Sequence, residues 1–360
     1  MDFLLEYGLF FAKIATFVIA VIILLSVAVG LSQKSKQSAK KGHLEITPLN
    51  EFYNEMSDAI KNAVMDEHQQ KVESKKQQKE KQKKAKEQQK ALKKAAKSDS
   101  DKDAVEQKPR VFVVNFHGNI NASAVTNLRE EVTAILSQAT EKDEVVVRLE
   151  SGGGMVHSYG LASSQLDRIR KRKIPLTVCV DKVAASGGYM MACVADKILA
   201  APFAILGSVG VVAQLPNFNK VLKKHDVEFE LLTAGEHKRT LTMFGENTDS
   251  DREKFLEDLQ DTHELFKQFV SEHRPSVDIA KIATGEVWFG LRAMDLNLAD
   301  ELQTSDEYLV ARSQQADVFE VAYVLKKKLH QRLGFAAEES ADRLMLRWWE
   351  RLTDNNRRIM

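Results

Sequence analysis

The sequence predicts an α/β fold, because short continuous apolar runs alternate along the chain with stretches of helical periodicity. The runs 111–116, 144–149 and 176–180 are rich in β-branched residues, as in strands buried on both faces of a parallel sheet. Helical patterns follow the first two runs, and a glycine-rich turn comes a few residues after each of the last two. We therefore expect parallel strands with flanking helices.

The N-terminal segment has the composition of a membrane-spanning helix. Residues 14–31 carry no charge, and the apolar character reaches back to Gly8 with only Lys13 interrupting it. Such a run is long enough to cross a hydrocarbon core of about 30 Å. Acidic rather than basic residues precede it, which argues against a cleaved signal peptide. We expect an uncleaved anchor over residues 1–31 that contacts membrane lipid through residues 8–31.

A charged segment separates this anchor from the folded part of the chain. From Glu51 to Lys97 it has no Gly or Pro, and its later half is nearly all Lys, Gln, Glu and Ala. These residues favour helix but offer no apolar stripe for packing. We expect a solvated helical stalk or linker over residues 32–109, with a basic arm held against anionic lipid as the alternative. The net charge of only +1 argues against nucleic-acid binding.

The folded domain is expected over residues 110–330, followed by a C-terminal amphipathic helix over residues 331–360. Tryptophan and arginine in that last segment suit an oligomer interface, a membrane surface or ordinary packing. Two cysteines, Cys179 and Cys193, lie in apolar runs and are interpreted as buried hydrophobic residues. Strands are predicted at Val111–Phe116, Glu144–Leu149, Leu176–Val180, Lys197–Ala200 and Glu228–Leu232, and helices at 121–138, Val156–Lys171, Ser186–Ala195, Asn217–Lys224 and Asp251–Glu272.

Two glycine-rich turns are candidate functional sites. In the first, Gly152–Gly154, successive glycines let the backbone approach a ligand and direct N–H groups at it. A dinucleotide-binding fingerprint is excluded, because its third glycine would fall at His157. The second turn places Ser186 before a helix, where the backbone stabilises negative charge. Capping of that helix is the alternative role for Ser186. The turn is not a G-x-S-x-G elbow, because Ala184 occupies the first glycine position.

A nucleophilic serine needs a base, since its hydroxyl is a weak nucleophile. None of the nine histidines stands in a recognisable triad arrangement. A lysine can act as the base where burial disfavours its ammonium form. Lys182 lies too close to Ser186 along the chain for easy approach, and Lys197 begins a predicted strand. The sequence lacks H-E-x-x-H and paired Cys/His clusters, so no metal or other cofactor is expected.

Five ordered motifs between Arg110 and Glu307 resemble the signal peptide peptidase A family of serine peptidases, and within it the SohB-type membrane-anchored members. The motifs are Ser151–Gly154, Ala184–Tyr189, Ile205–Val211, Ala234–Arg239, and Ala283–Gly290 with the trailing Leu298–Leu302. The resemblance implies a ClpP/crotonase-like fold with parallel strands and flanking helices, together with a Ser–Lys dyad.

The resemblance also implies a role for individual residues. Ser186 matches the family's nucleophile, Lys238 its base, and Ser208 the serine that orients the lysine. The oxyanion hole of the family maps onto backbone N–H groups of Gly153 or Gly154 and of Gly187. Gly152 departs from the pattern, because many relatives have proline there, and this turn should be more flexible before substrate binds.

The implied function is a membrane-anchored serine endopeptidase that hydrolyses signal-peptide remnants or other membrane-associated polypeptides in the bacterial inner membrane. Its expected partners are a peptide or unfolded polypeptide and further copies of the chain in a homo-oligomer. The lysines after residue 31 favour a cytoplasmic catalytic domain, whereas relatives often work outside the membrane, so the side stays open. One alternative is a catalytically inactive membrane scaffold. The other is a crotonase-like acyl-CoA enzyme, and such an enzyme would need no Ser186–Lys238 pair.

Overall fold

The computed structural model describes residues 42–66, 108–235 and 237–325. The predicted anchor, the predicted C-terminal helix and most of the predicted stalk lie outside these ranges. Within the described ranges, no helix is long and apolar enough to span a membrane. The chain divides into two compact units, Met1–Leu44 with Tyr323–Met360 and Glu45–Ala322. In the first unit, the amide of Gly42 donates a hydrogen bond of 2.9 Å to the Tyr323 hydroxyl.

Ten strands and nine helices alternate along the described residues. The strands are β1 His43–Pro48, β2 Arg110–Gly118, β3 Glu144–Ser151, β4 Leu176–Val180, β5 Val183–Ala185, β6 Lys197–Ala200, β7 Ile205–Gly207, β8 Val287–Phe289, β9 Glu301–Leu302 and β10 Asp317–Val324. The helices are α1 Leu49–Val64, α2 Val125–Leu136, α3 Val156–Lys171, α4 Gly187–Ala192, α5 Asn219–Lys224, α6 Asp249–His273, α7 Ile279–Ile282, α8 Gly290–Asp295 and α9 Ser305–Gln315.

The strands form one sheet that branches. Its main path runs in the order β1-β10-β2-β3-β4-β6-β9, and a branch of β5, β7 and β8 leaves it at β3. The pairs from β10 to β9 along the main path are parallel, as are β3–β5 and β5–β7, whereas β7–β8 is antiparallel. The prediction of an α/β fold with mostly parallel strands and flanking helices is confirmed.

Apolar residues alternate between the two faces of the sheet, because successive side chains of a strand point in opposite directions. In β3, Val145 and Val147 join the larger core cluster, which contains residues of α2, α3, α4 and α6. Val146, between them, joins a smaller cluster with residues of α1 and α9. All three valines are fully buried. Helices therefore cover both faces, which explains why the strands read as continuous apolar runs.

Residues 43–64 lie in the segment predicted to be a solvated helical stalk. The helix α1 and its mostly exposed side chains agree with that prediction, whereas the strand β1 and the packing of the start of α1 on the fold were not expected. The side-chain amide of Asn50 donates to the carbonyls of Ser313 and Ala316 at 2.7 and 2.9 Å. Its side-chain oxygen accepts a bond of 2.6 Å from the Val318 amide. These bonds join the start of α1 to the turn between α9 and β10. The contacts lie more than 260 residues apart in sequence, so no local pattern indicates them.

The predicted strand at Glu228–Leu232 is wrong. These residues belong to no strand of the structure and are exposed, with Leu232 at 90% of its full accessibility. A strand needs a neighbour for its backbone hydrogen bonds, and this apolar segment has none in the described chain. By contrast, the bounds predicted for α3, β4 and β6 match the structure.

Candidate active site

The site lies where three neighbouring strands end. β3 pairs with β5 through Ser151 and Ala184, and β5 pairs with β7 through Ala185 and Gly207. Since these strands are parallel, their carboxyl ends meet at the same edge of the sheet, where ligands of α/β proteins bind. The residues that follow the three strands are the glycine turn 152–154, Ser186 and Ser208. Segments distant in sequence thus become neighbours.

Ser186 occupies an unusual backbone conformation, with φ 53° and ψ −120°. Few non-glycine residues adopt a positive φ, and such strain is frequent at functional sites. The amide of Ser186 donates to the Gly207 carbonyl at 2.8 Å, which holds the turn against β7. Although Ser186 precedes α4, its side chain makes no capping hydrogen bond. Ser186 therefore does not cap α4, and its hydroxyl is not engaged in a capping hydrogen bond.

The first glycine turn packs directly against Ser186. Gly153 has a φ of +90°, and a methyl group added to it would lie 2.7 Å from both the Gly187 nitrogen and the Ser186 Cβ. Only glycine fits there. The Gly153 amide donates to the Ser151 hydroxyl at 3.1 Å. Among the hydrogen bonds of the described residues, none has the amide of Gly154 or Gly187 as its donor. Two amides therefore remain open beside Ser186.

Ser186 and both turns line a cavity of about 780 Å³. Ser208 lines it as well, with a φ of 54° and an amide that donates to the Glu286 carbonyl at 2.6 Å. The rest of the lining includes apolar residues and the polar residues Thr262, His263 and Thr284. The apolar ones are Ile120, Met155, Val156, Met190, Val211, Val212 and Phe266. The structure thus brings together Ser186, Ser208, Gly153, Gly154 and Gly187 around one cavity.

Lys238 is the one predicted site residue that the single chain does not bring to this cavity. It is exposed and absent from the cavity lining. The strand expected to precede it does not form, and its amide donates only a local bond of 3.2 Å to the Gly235 carbonyl. The two other lysines considered, Lys182 and Lys197, form ion pairs with Glu150 and Glu301 and do not line the cavity either.

Helix α6 contributes wall residues that the sequence analysis missed. His263 lines the cavity together with Thr262 and Phe266. The His263 Nε2 is buried and has no hydrogen-bond partner in the described structure. The helical spacing of Phe266 in the sequence predicts a core or interface residue, and no motif around His263 indicates a role for it. Only the packing of α6 near α4 reveals this position.

Neither cysteine of the chain offers a second nucleophile. Burial raises the pKa of Cys179 and raises that of Cys193 to about 12, so both remain thiols near neutral pH. Both are free and buried, as the sequence predicts. In the described ranges, no group of three or more His, Cys, Asp or Glu residues could hold a metal ion.

Comparison with known proteins places these features in a family. The model for the N-terminal part of peptidase family S49 matches residues 2–166, and the model for peptidase family S49 matches residues 168–319. The probable protease SohB of Haemophilus influenzae is 49% identical over 347 residues, which cover 96% of each chain. That of Buchnera aphidicola subsp. Schlechtendalia chinensis is 49% identical over 313 residues, which cover 87% of this chain and all of the relative.

A solved structure is also similar. It is that of a membrane-bound stomatin-specific protease in complex with a substrate peptide. It is 14% identical to this chain, and the match covers 63% of this chain and 98% of the other, with a TM-score of 0.39.

Proposed function

The chain belongs to peptidase family S49 and to its SohB type, and from this premise we propose that it is a serine endopeptidase with Ser186 as its nucleophile. The placement of Ser186 carries the proposal. Its hydroxyl is free of capping bonds, its backbone is strained, and it lines the cavity beside two unused amides. This arrangement suits a serine that attacks a carbonyl carbon.

The two open amides form the proposed oxyanion hole. The family resemblance offers Gly153 or Gly154 together with Gly187. Because the Gly153 amide already donates to Ser151, we assign the hole to Gly154 and Gly187. Preorganised backbone donors of this kind stabilise the negative charge that develops on the carbonyl oxygen, and losing one donor commonly costs about 10²–10³ in kcat.

Lys238 is the proposed base, with Ser208 orienting it. A lysine works as a base only where its surroundings disfavour the ammonium form, yet Lys238 is exposed in the single chain. We therefore propose that the active form is a homo-oligomer, in which a neighbouring copy covers Lys238 and brings it to a Ser186–Ser208 cavity. The exposed apolar residues near Lys238 support this, among them Phe229, Leu231 and Leu232.

The reaction then proceeds in two halves. Lys238 accepts the Ser186 proton as Oγ attacks the scissile carbonyl, and the tetrahedral oxyanion receives hydrogen bonds from Gly154 and Gly187. Lys238 passes the proton to the leaving amine, which departs and leaves an acyl group on Ser186. Water attacks this ester with Lys238 again as base, and the proton returns to Ser186. This sequence uses neither metal nor cofactor.

The proposed substrates are polypeptides in an extended conformation, because both glycine turns and several apolar side chains line a cavity of about 780 Å³ beside Ser186. Apolar walls suit signal-peptide remnants or other membrane-associated polypeptides. The apolar run at residues 8–31 supports anchoring in the bacterial inner membrane. The branched, mostly parallel sheet is consistent with a ClpP/crotonase-like fold.

Labelling by a fluorophosphonate probe and cleavage of a peptide library by the full-length protein in detergent test the proposal. We expect Ser186→Ala to lose labelling, and both Ser186→Ala and Lys238→Ala to lose at least about 10³ in kcat. Lys182→Ala is the matched control and should cleave as wild type does, because Lys182 pairs with Glu150 away from the cavity. Undiminished cleavage by Ser186→Ala would refute the nucleophile assignment.

The alternative is a catalytically inactive membrane scaffold. The exposure of Lys238 away from the cavity is the observation that favours it. The same assays separate the two functions, because a scaffold binds polypeptides without labelling or cleavage even in the wild-type protein.

A further inference from the structure

A buried chain of hydrogen bonds lies beneath the first glycine turn. The Gly153 amide donates to the Ser151 hydroxyl at 3.1 Å, and Ser151 Oγ lies 2.5 Å from the Tyr159 hydroxyl. Tyr159 in turn donates to the Asn119 carbonyl at 2.8 Å. Either hydroxyl of the Ser151–Tyr159 pair can be the donor, and the Gly118 carbonyl, 3.5 Å from Ser151 Oγ, is a second, longer acceptor. When Tyr159 donates to Asn119, Ser151 donates to Tyr159, and the hydrogen bonds then all point the same way. Such chains strengthen one another cooperatively in an environment of low dielectric constant.

The two side chains in this series of hydrogen bonds, Ser151 and Tyr159, are buried. Ser151 is 2% and Tyr159 0% exposed. Burial raises the pKa of Tyr159, which keeps its hydroxyl protonated and able to donate near neutral pH. Ser151 belongs to the first glycine-turn motif, whereas no sequence motif includes Tyr159, which lies within helix α3.

Tyr159 also touches the second turn. A methyl group added to Gly187 would lie 2.4 Å from Cγ of the Tyr159 ring, so the ring packs directly on the residue that follows Ser186. A methyl group on Gly188 would likewise lie 2.5 Å from the Ser151 carbonyl oxygen. One side chain thus supports both turns. Its hydroxyl holds Gly153 through Ser151, and its ring face supports Gly187.

We propose that Tyr159 and Ser151 are positioning residues that set the separation of the Gly154 and Gly187 amides. The hydrogen bond from the Gly153 amide to Ser151 fixes the backbone at Gly153, and this orients the next peptide group so that the Gly154 amide faces the cavity. This inference rests on the proposed function, since it concerns the oxyanion hole assigned there. It predicts that the Tyr159 hydroxyl affects the transition state and leaves substrate binding unchanged.

The test compares full-length wild type with Tyr159→Phe, Ser151→Ala and the double variant. We expect kcat to fall about 10–100-fold in each, with KM within about twofold, because displacing an oxyanion donor acts on the transition state. The double variant should lose no more than either single one, since both act through one chain. A peptide aldehyde, whose adduct with Ser186 carries an oxyanion, should bind more weakly by the same factor, and the matching peptide alcohol should not.

Tyr308→Phe is the matched control. Its hydroxyl donates a 2.5 Å bond to Glu144, and Tyr308 packs against the cluster on the other face of the sheet. It should keep wild-type kcat and aldehyde affinity even where its unfolding temperature falls. Two results would overturn the inference. One is a wild-type kcat for Tyr159→Phe in an assay in which Ser186→Ala is inactive. The other is an equal loss of affinity for the aldehyde and the alcohol in the Tyr159→Phe variant. Equal cleavage by wild type and Ser186→Ala would instead refute the proposed function itself.

Discussion

At Ser186 a single residue combines backbone strain with an unused hydroxyl. Its positive φ turns the backbone sharply between β5 and α4, so that the side chain lies at the cavity instead of over the helix end. The strain persists because the Ser186 amide is bonded to Gly207 and because Gly153 packs on its Cβ. Glycines at 153 and 187 permit this approach. The surrounding packing therefore stabilises a conformation that the residue alone would avoid.

Asp143 shows how a single charged residue ties two strands together. It precedes β3, and its carboxylate accepts hydrogen bonds from Arg110, at the start of β2, at 2.7 and 3.0 Å, and from Thr140. Burial by itself would raise its pKa, but the bonds from Arg110 and Thr140 outweigh burial and hold the pKa at about 2. The ionised carboxylate is therefore the form that stabilises the fold.

Asp143→Asn should lower the free energy of unfolding at pH 7 by about 3 kcal/mol, because it leaves Arg110 without its charged partner. Since the folded pKa is depressed below the unfolded value of about 3.9, this stabilisation is full above pH 4 and disappears as the pH falls towards 2. Urea unfolding of both proteins across this range measures it. Asp306→Asn, which removes an exposed partner of Arg148, is the control and should change little. Parallel pH profiles for wild type and Asp143→Asn would contradict the assignment.

Among the elements, α6 links the fold to the cavity wall. Its middle carries Thr262, His263 and Phe266, and its first turn is capped by Thr248. The Thr248 hydroxyl accepts from the Asp251 amide at 3.2 Å, and the Asp251 carboxylate accepts from the Thr248 amide at 2.9 Å. This reciprocal pair satisfies amides that the helix itself cannot. The capping box also explains why the helix begins at 249, two residues before the predicted start.

Thr248→Ala should loosen the first turn of α6. We expect the amides of residues 249–253 to exchange with deuterium about fivefold faster, which corresponds to the usual loss on removing a threonine cap. Thr248→Ser keeps the hydroxyl and serves as the control. Mass spectrometry of exchanged peptides gives the readout, with the Thr304-capped helix α9 as an internal reference. Equal exchange in the alanine and serine variants would show that the cap is dispensable.

At the scale of the whole molecule, the single chain leaves one proposed catalytic residue outside the cavity. Exposed apolar residues recur along the segment that precedes Lys238 in the sequence, including Val212, Leu215, Phe218, Val227 and Leu232. Exposed apolar residues that cluster on a surface mark interaction sites. A second copy of the chain is the proposed occupant, because it would supply the missing contacts of Lys238.

Mixing two inactive variants tests this arrangement. If Lys238 acts across a subunit boundary, co-expression of Ser186→Ala with Lys238→Ala should restore up to about a quarter of the wild-type activity. In a random mixture with heterologous interfaces, about one interface in four combines an intact Ser186 on one copy with an intact Lys238 on its neighbour. Each variant alone stays inactive and must assemble as wild type does, which light scattering checks. No recovery in correctly assembled mixtures would show that Lys238 does not act on a neighbouring copy.

The sequence by itself determined the α/β class, the bounds of elements such as α3, β4 and β6, and the two glycine turns. These features depend on hydrophobic periodicity and on backbone freedom, which residues close together in the sequence determine. Family motifs added Ser186, Ser208 and Lys238 as candidates. Only the tertiary structure decided that β1 and α1 join the fold, that residues 228–232 stay unpaired, and that the Tyr159 ring packs on Gly187. Those outcomes depend on contacts between distant segments, whose free energies no local pattern records.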